Sequence, residues 1–302
     1  MELDKRINGT TILTGLIGDP VGHTVSPFLH NSLFTALGIN GIYVPLQVPS
    51  GGLKDAVMGL KVTGFSGFNV TIPYKEEVCE FLDVISAEAR LLGAVNTVKI
   101  SDGKLYGFNT DADGFIRAFE DRTGTNFKQK KVSILGAGGT ARTLAIRIAL
   151  EGAERIDIIN RTVIRAMELA EAINKIVVNP ECTNKRVFAF ASGTQEAIQA
   201  LRDCDVMINT TSVGMHPEED HSPLPQDFVF NSGQLVYDVI YNPVQTKLLT
   251  NANAFGCRTF NGSSMLLYQG IKAFEIFVDR KVPPQIVSDL TESFLIGGRP
   301  FG

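Results

Sequence analysis

A chain of 302 residues is long enough for two domains, each with its own core. Its composition, 44% hydrophobic and 20% charged, is that of an ordinary globular protein, and a formal charge of −4 argues against nucleic acid, whose phosphates demand clustered Lys and Arg. No apolar run approaches the roughly 20 residues of a membrane span, and the first ten residues are polar without the apolar centre of a signal peptide. The scattered Cys79, Cys182, Cys204 and Cys257 form no CxxC pair, so they read as small buried hydrophobes in a reducing cytoplasm, and no metal-ligand spacing is present.

Strand-like runs alternate with helical periods from end to end, which predicts an α/β architecture with mostly parallel sheets. In the first third, strands are expected over Leu13–Ile17, Tyr43–Gln47, Gly67–Thr71 and Ala94–Ile100, and helices over Pro27–Leu37, Gly52–Leu60 and Glu76–Leu92. After the first strand come Thr24, Ser26 and Pro27. Ser26 before Pro27 predicts an N-cap followed by a proline at the first helical position. The reading beyond a plain cap is that two hydroxyls and a helix N-terminus together hold a carboxylate. Farther on, Asn69-Val-Thr71-Ile-Pro73-Tyr-Lys75 delivers a lysine from a strand end to the next helix. Gly93-Ala-Val-Asn96-Thr97 and Asn109-Thr110-Asp111 bring amides, hydroxyls and a carboxylate to strand ends, where ligands of open α/β sheets bind.

The middle third opens on Lys131-Val-Ser-Ile-Leu-Gly136-Ala137-Gly138-Gly139-Thr140-Ala141, a buried strand, a glycine turn and a helical period. Gly136 allows the tight turn, Gly138 the approach of a pyrophosphate, and Ala141 close helix–strand packing, with the helix N-terminus offering N–H groups to phosphate. Strand Ile156–Ile159 leads into Asn160-Arg161-Thr162-Val-Ile-Arg165. The acidic residue of an NAD site is missing there, and two guanidiniums suit the 2′-phosphate of NADP. The alternative reading is two solvated arginines with Thr162 a helix cap. Helix Val163–Asn174, strand Val187–Phe190, helix Gln195–Leu201 and strands Val206–Asn209 and Leu235–Val239 complete a doubly wound unit. Asn174–Asn184 and Met215–Gln226 read as loops, and one or two helices follow Thr259. In the first of these, Leu267, Ile271, Phe274 and Val278 form an apolar stripe, and Met265 and Gln269 share a face.

These motifs, in order from about residue 14 to 280, resemble those of the shikimate dehydrogenases. They continue with Asn209-Thr210-Thr-Ser-x-Gly214-Met215, Tyr241-Asn-Pro243 and Met265-Leu-x-x-Gln269. The resemblance implies an N-terminal α/β substrate domain (residues 1–111, completed by returning C-terminal helices, 263–302) and a Rossmann NADP domain (112–262). It implies reversible, NADPH-dependent reduction of 3-dehydroshikimate to shikimate in aromatic amino acid biosynthesis, in the cytoplasm, with a homodimer allowed. Lys75 and Asp111 would be the catalytic pair. Thr24, Ser26 and Tyr241 would meet the carboxylate, and Thr71, Asn96, Asp111 and Gln269 the ring hydroxyls. Gly136–Ala141, Asn160, Arg161, Thr162, Arg165, Thr210, Val239, Gly262 and Met265 would hold the cofactor. Lys75 would stabilise charge and donate a proton at the ketone oxygen, with Asp111 orienting it and no metal required. Two departures bear on the substrate: Thr24 stands where the family usually has Ser, and Ser264 where Gly usually precedes Met. A quinate/shikimate dehydrogenase, or one for a related cyclic hydroxy acid, is the neighbouring reading. A non-catalytic NADP-binding sensor is the reading from another class.

Overall fold

The computed structural model describes residues 7–22, 24–177 and 186–296. The chain divides into two compact units, Met1–Gly114 with Leu266–Gly302, and Phe115–Met265. Among the described residues, no helix is long and apolar enough to cross a membrane.

The first unit is built on six strands: β1 (Ile12–Gly18), β2 (Gly41–Gln47), β3 (Phe65–Val70), β4 (Val84–Ile85), β5 (Thr97–Ser101) and β6 (Lys104–Phe108). Their order is β2-β1-β3-β5-β6-β4. β1 pairs in parallel with β2 and β3, and β4 with β6, whereas β5 is antiparallel to both β3 and β6. The sheet is therefore mixed. Its antiparallel part is a hairpin whose tip, Asp102-Gly103, takes φ of 50° and 68°, the twist-matching conformation of a two-residue turn. The strand expected over Ala94–Ile100 is one arm of that hairpin, and the other arm, β6, carries a weaker apolar alternation.

Helices α1 (Ser26–Ala36) and α2 (Leu53–Val62) lie near their expected places. The single helix expected over Glu76–Leu92 is instead a 3-10 turn (Glu77–Phe81), the short β4, and α3 (Ala87–Leu92). Two hydrogen bonds explain the break. The Asp83 carboxylate accepts the Leu105 N–H at 2.7 Å, tying the chain to β6, and the Ser86 hydroxyl then caps α3 by accepting from the Ala89 N–H at 3.2 Å. Local propensity loses to a contact 22 residues away in sequence.

α4 (Asp111–Thr123) follows β6, and the second unit opens with β7 (Lys131–Leu135) and α5 (Gly139–Leu150). Then come β8 (Arg155–Asn160), α6 (Val163–Ile176), β9 (Val187–Ala191), α7 (Gln195–Asp203), β10 (Val206–Asn209), β11 (Leu235–Asp238), α8 (Lys247–Ala254) and β12 (Arg258–Phe260). All six strands are parallel, in the order β12-β11-β10-β7-β8-β9. This is the doubly wound dinucleotide-binding arrangement, with the order reversing between β7 and β10. Its strands read as continuous apolar runs because helices cover both faces; all four residues of β10 are buried. α8 and β12, absent from the sequence expectation, extend the sheet by one strand. The loop expected at Asn174–Asn184 begins later, since α6 continues to Ile176; residues 178–185, Cys182 among them, lie outside the described residues.

α9 (Ser263–Val278) and α10 (Pro284–Ile296) close the chain. Leu267, Ile271 and Phe274 of α9 are fully buried, while Val278 is only half-buried. Within the first unit Phe274 meets Phe34 of α1 edge-on at 4.8 Å. α9 passes close to Gly114 of α4: a Cβ there would stand 2.6 Å from the backbone nitrogen of Gln269, so only glycine admits that crossing.

Candidate active site

In the first unit, the ends of β3 and β6 meet the start of β5, because β5 runs antiparallel to both. Each contributes polar residues. Asn69 is the penultimate residue of β3, Asn96 precedes β5, and Thr110 and Asp111 follow β6. The Asn109 side chain accepts the Asp111 and Ala112 N–H groups at 3.1 and 3.3 Å and so aims the first turn of α4. The Lys75 carbonyl accepts the Val95 N–H at 2.8 Å, which places that lysine beside the same strand ends. The Lys75 ammonium then donates to Asp111 Oδ2 at 2.6 Å, with side-chain exposures of 33% and 18%. It is a pair accessible to a ligand.

Asn96 organises the floor. Its Nδ2 donates to Asp111 Oδ1 at 2.9 Å and to Thr110 Oγ1 at 3.0 Å, and approaches Gln269 Oε1 at 3.5 Å. Its Oδ1 accepts the Thr110 N–H at 2.7 Å and the Thr97 hydroxyl at 3.1 Å. Asn69 Nδ2 donates to the Asn96 carbonyl and to Thr97 Oγ1, each at 3.0 Å, and Asn69 Oδ1 accepts the Tyr43 hydroxyl at 2.8 Å. Both carboxylate oxygens of Asp111 are thus held, one by an amide and one by an ammonium. Thr71 follows β3, half-buried, its N–H bonded to Ile17.

The Thr24/Ser26 pair differs from expectation in one respect. Val25, not Ser26, occupies the N-cap position of α1 and makes no side-chain cap; Ser26 is the first helical residue. Thr24 takes over part of that task, its Oγ1 accepting the Ser26 N–H at 3.3 Å while its hydroxyl donates to Ser26 Oγ at 3.2 Å. The two hydroxyls therefore touch at the head of α1. Behind it, His30 stacks on the Tyr43 ring at 4.1 Å and 6°, against Phe274 and Phe277, and burial lowers its pKa from 6.5 to about 3.

In the second unit, Gly136 stands at the switch point with φ of +109°, and a Cβ there would strike Thr210 Oγ1 at 2.6 Å. Thr210 is held by donating its hydroxyl to the Leu135 carbonyl at 2.7 Å. Gly138 is the N-cap of α5; Gly138, Gly139 and Thr140 are exposed while Ala141 is fully buried. That is an open helix N-terminus on a packed helix, which suits a pyrophosphate. At the neighbouring strand end, Asn160 Nδ2 donates to the Thr162 carbonyl at 2.9 Å, and Arg161, Thr162 and Arg165 are exposed at the start of α6. Thr162 sits at the N-cap but forms no side-chain cap, so capping does not account for its hydroxyl. Across the switch point, the Val239 N–H donates to Asn209, and Gly262 to Ile240, at 3.0 Å each. Beside Val239 the buried Asp238 accepts from Thr246, Asn209 and the Ile240 N–H, and burial raises its carboxyl to about 6. Tyr241 and Met265 belong to this unit, both half-buried, and Ser264 is buried.

Sequence reasoning passed over Tyr43, Thr97 and Thr110. Thr97 and Thr110 lie inside recognisable motifs, but Tyr43 sits in an ordinary apolar strand and nothing local distinguishes it.

A family profile described as the shikimate dehydrogenase substrate binding domain matches residues 16–98, and one described as shikimate / quinate 5-dehydrogenase matches residues 118–213. The shikimate dehydrogenase (NADP(+)) of Methanothermobacter thermautotrophicus is 43% identical over 290 residues, covering 96% of this chain and 99% of the relative. The chain belongs to the shikimate dehydrogenase family. Among solved members, a shikimate dehydrogenase in complex with NADP+ superposes with a TM-score of 0.86 at 37% identity, covering 97% of this chain and 99% of that one. The Listeria monocytogenes member, in complex with shikimate and NAD, gives 0.85 at 36% identity, with 95% and 98% covered. Membership in the family extends over both units, and with it the two-domain α/β architecture.

Proposed function

We propose that this protein is a cytoplasmic NADP-dependent shikimate dehydrogenase that reversibly reduces 3-dehydroshikimate to shikimate in aromatic amino acid biosynthesis. The observation that carries the reading is the Lys75–Asp111 pair at 2.6 Å, accessible to a ligand and held by Asn96 within a family-wide match. Reduction of a ketone builds negative charge on its oxygen, and an ammonium fixed at that oxygen stabilises the charge and supplies the proton. Asp111 orients Lys75, and Asn96 orients Asp111. The hydroxyls of Thr24 and Ser26, at the N-terminus of α1, suit a carboxylate, with Tyr241 as a further partner. Thr71, Asn96 and Gln269 supply donors and acceptors for ring hydroxyls.

NADPH, when bound, supplies the hydride. The residues fit it: the open N-terminus of α5, with Gly136 to Ala141, suits the pyrophosphate, and Thr210, Val239, Gly262 and Met265 suit the remainder. Arg161 and Arg165, exposed like Thr162 and beside the half-buried Asn160 at a strand end that lacks an acidic residue, favour a 2′-phosphate over a free ribose hydroxyl. The free Cys79, Cys204 and Cys257 accord with a reducing compartment.

The test is spectrophotometric reduction of NADP+ by shikimate, with wild type and Lys75→Ala. Turnover by wild type and a loss of several orders of magnitude in the variant are expected. Tight NADPH binding without turnover of any cyclic hydroxy acid would refute the reading in favour of a sensor. Thr24 and Ser264 make quinate the substrate to run in parallel.

A further inference from the structure

We propose that Asn69 and Thr97 form a positioning pair that aims Asn96 at Asp111 and thereby sets Lys75. The proposal rests on the reading above, in which Lys75 and Asp111 carry the chemistry. Antiparallel register puts Asn69 of β3 directly opposite Thr97 of β5. The Asn69 side-chain nitrogen donates one proton to Thr97 Oγ1 and the other to the Asn96 carbonyl, each at 3.0 Å. Its Oδ1 accepts the Tyr43 hydroxyl at 2.8 Å. Turning the amide over would face its oxygen toward the Asn96 carbonyl, so its orientation is fixed.

Thr97 Oγ1 accepts from Asn69 and has its own proton left to give, which it donates to Asn96 Oδ1 at 3.1 Å. The Thr110 N–H reaches the same oxygen at 2.7 Å. With its oxygen held from within, the Asn96 amide presents its nitrogen to Asp111 Oδ1 at 2.9 Å. Asp111 Oδ2 is then left to the Lys75 ammonium at 2.6 Å. Two other acceptors stand near the Asn96 nitrogen, Thr110 Oγ1 at 3.0 Å and Gln269 Oε1 at 3.5 Å. Three acceptors for two protons mean that a loosened amide can leave Asp111, and the anchorage behind Asn96 opposes this. Asn69, Thr97 and Asn96 are 6%, 0% and 3% exposed, so water does not compete for the bonds among them. Thr97 is too deep to touch a ligand, and what it contributes to turnover passes through Asn96.

Thr97→Val keeps the shape of the side chain and removes its hydroxyl. With shikimate and NADP+, kcat should fall about five- to tenfold, the cost of one buried hydrogen bond in the network. KM for shikimate should change less than kcat, because the support Asp111 gives Lys75 matters most as charge builds on the substrate oxygen. The Kd for NADP+ should keep its wild-type value. Thr97→Ser restores the hydroxyl and should bring kcat back to within about twofold of wild type. In the Asp111→Asn background, Thr97→Val should cost about twofold or less, since the carboxylate it acts through has gone. A lowered melting temperature with unchanged kcat would overturn the proposal by making Thr97 a core residue only. A fully additive loss in the Asp111→Asn background would overturn it too. Should Thr97→Val fail to fold, Tyr43→Phe removes the donor that fixes Asn69, and it must lower kcat with the same dependence on Asp111. A wild-type protein that does not oxidise shikimate would refute the functional reading itself; wild-type turnover with unaffected variants refutes this proposal alone.

Discussion

His30 should make the first unit sensitive to acid, and the size of the effect follows from its surroundings. The imidazole is fully buried against Tyr43, Phe274 and Phe277, its Nδ1 has no hydrogen-bond partner among the described residues, and burial lowers its pKa from 6.5 to about 3. The folded state therefore keeps it neutral where the unfolded state has protonated it. A lowered pKa of this kind gives stability that is complete above pH 6.5 and lost as the pH falls toward 3. At pH 5 the unfolded chain gains about 2 kcal/mol from protonating this one group, while at pH 7.5 it gains almost nothing. The figure depends little on the folded value, because at pH 5 the folded imidazole remains neutral for any pKa well below 5. His30→Leu removes the proton site at similar volume and should flatten the profile by that amount. The chain has no tryptophan, so urea unfolding is best followed by far-UV circular dichroism at pH 7.5 and 5.0. If wild type and variant lose the same stability between those pH values, within about 0.5 kcal/mol, the linkage argument is wrong.

Asp238 should behave in the opposite sense. Its carboxyl is raised from 3.8 to about 6, so its contribution is complete below 3.8 and lost as pH rises through 6. Relative to Asp238→Asn, wild type should lose about 2 kcal/mol between pH 4.5 and 7.5, and parallel stability curves would contradict this. Arg161→Ala should raise the KM for NADP+ roughly ten- to a hundredfold and leave that for NAD+ nearly unchanged, the cost of one charged hydrogen bond to phosphate; equal changes would argue against the 2′-phosphate role. Gly114→Ala places a Cβ 2.6 Å from the Gln269 nitrogen and should cost about 1–3 kcal/mol of stability as well as shikimate affinity. Wild-type melting temperature and KM in that variant would show that α9 can move away freely.

The second unit was the more legible of the two. Its parallel strands are buried on both faces, so each appears as an uninterrupted aliphatic run, and the glycine turn after β7 announces the helix that follows. The short α8 and β12 escaped notice because eight and three residues carry little periodicity. In the first unit the apolar residues between Glu76 and Leu92 mimic a helical stripe. The chain breaks there because Asp83 reaches Leu105 and Ser86 begins a new helix, the first of which is a tertiary contact. The hairpin turn at Asp102-Gly103 carried a readable signal, whereas the cap of α1 did not: Ser-Pro ordinarily marks an N-cap, and here the Thr24 hydroxyl displaces Ser26 from that role by bonding its amide.

Residue types and their order along the chain determine the family and the two-unit α/β architecture, since backbone propensity, apolar period and glycine placement are local properties. They also name the donors available to a dehydrogenase: an ammonium, a carboxylate, two neighbouring hydroxyls and a pair of arginines. Which of these meet, and through what, is decided in three dimensions. Lys75 and Asp111 are 36 residues apart and Asn96 and Gln269 are 173 apart, and their approach depends on strand register and on a glycine crossing that no window of sequence contains. Tyr43 illustrates the division best. As a letter it is one aromatic residue in a strand; folded, its hydroxyl donates to Asn69 Oδ1 because the pleat of β2 turns the ring inward, where His30 stacks on it.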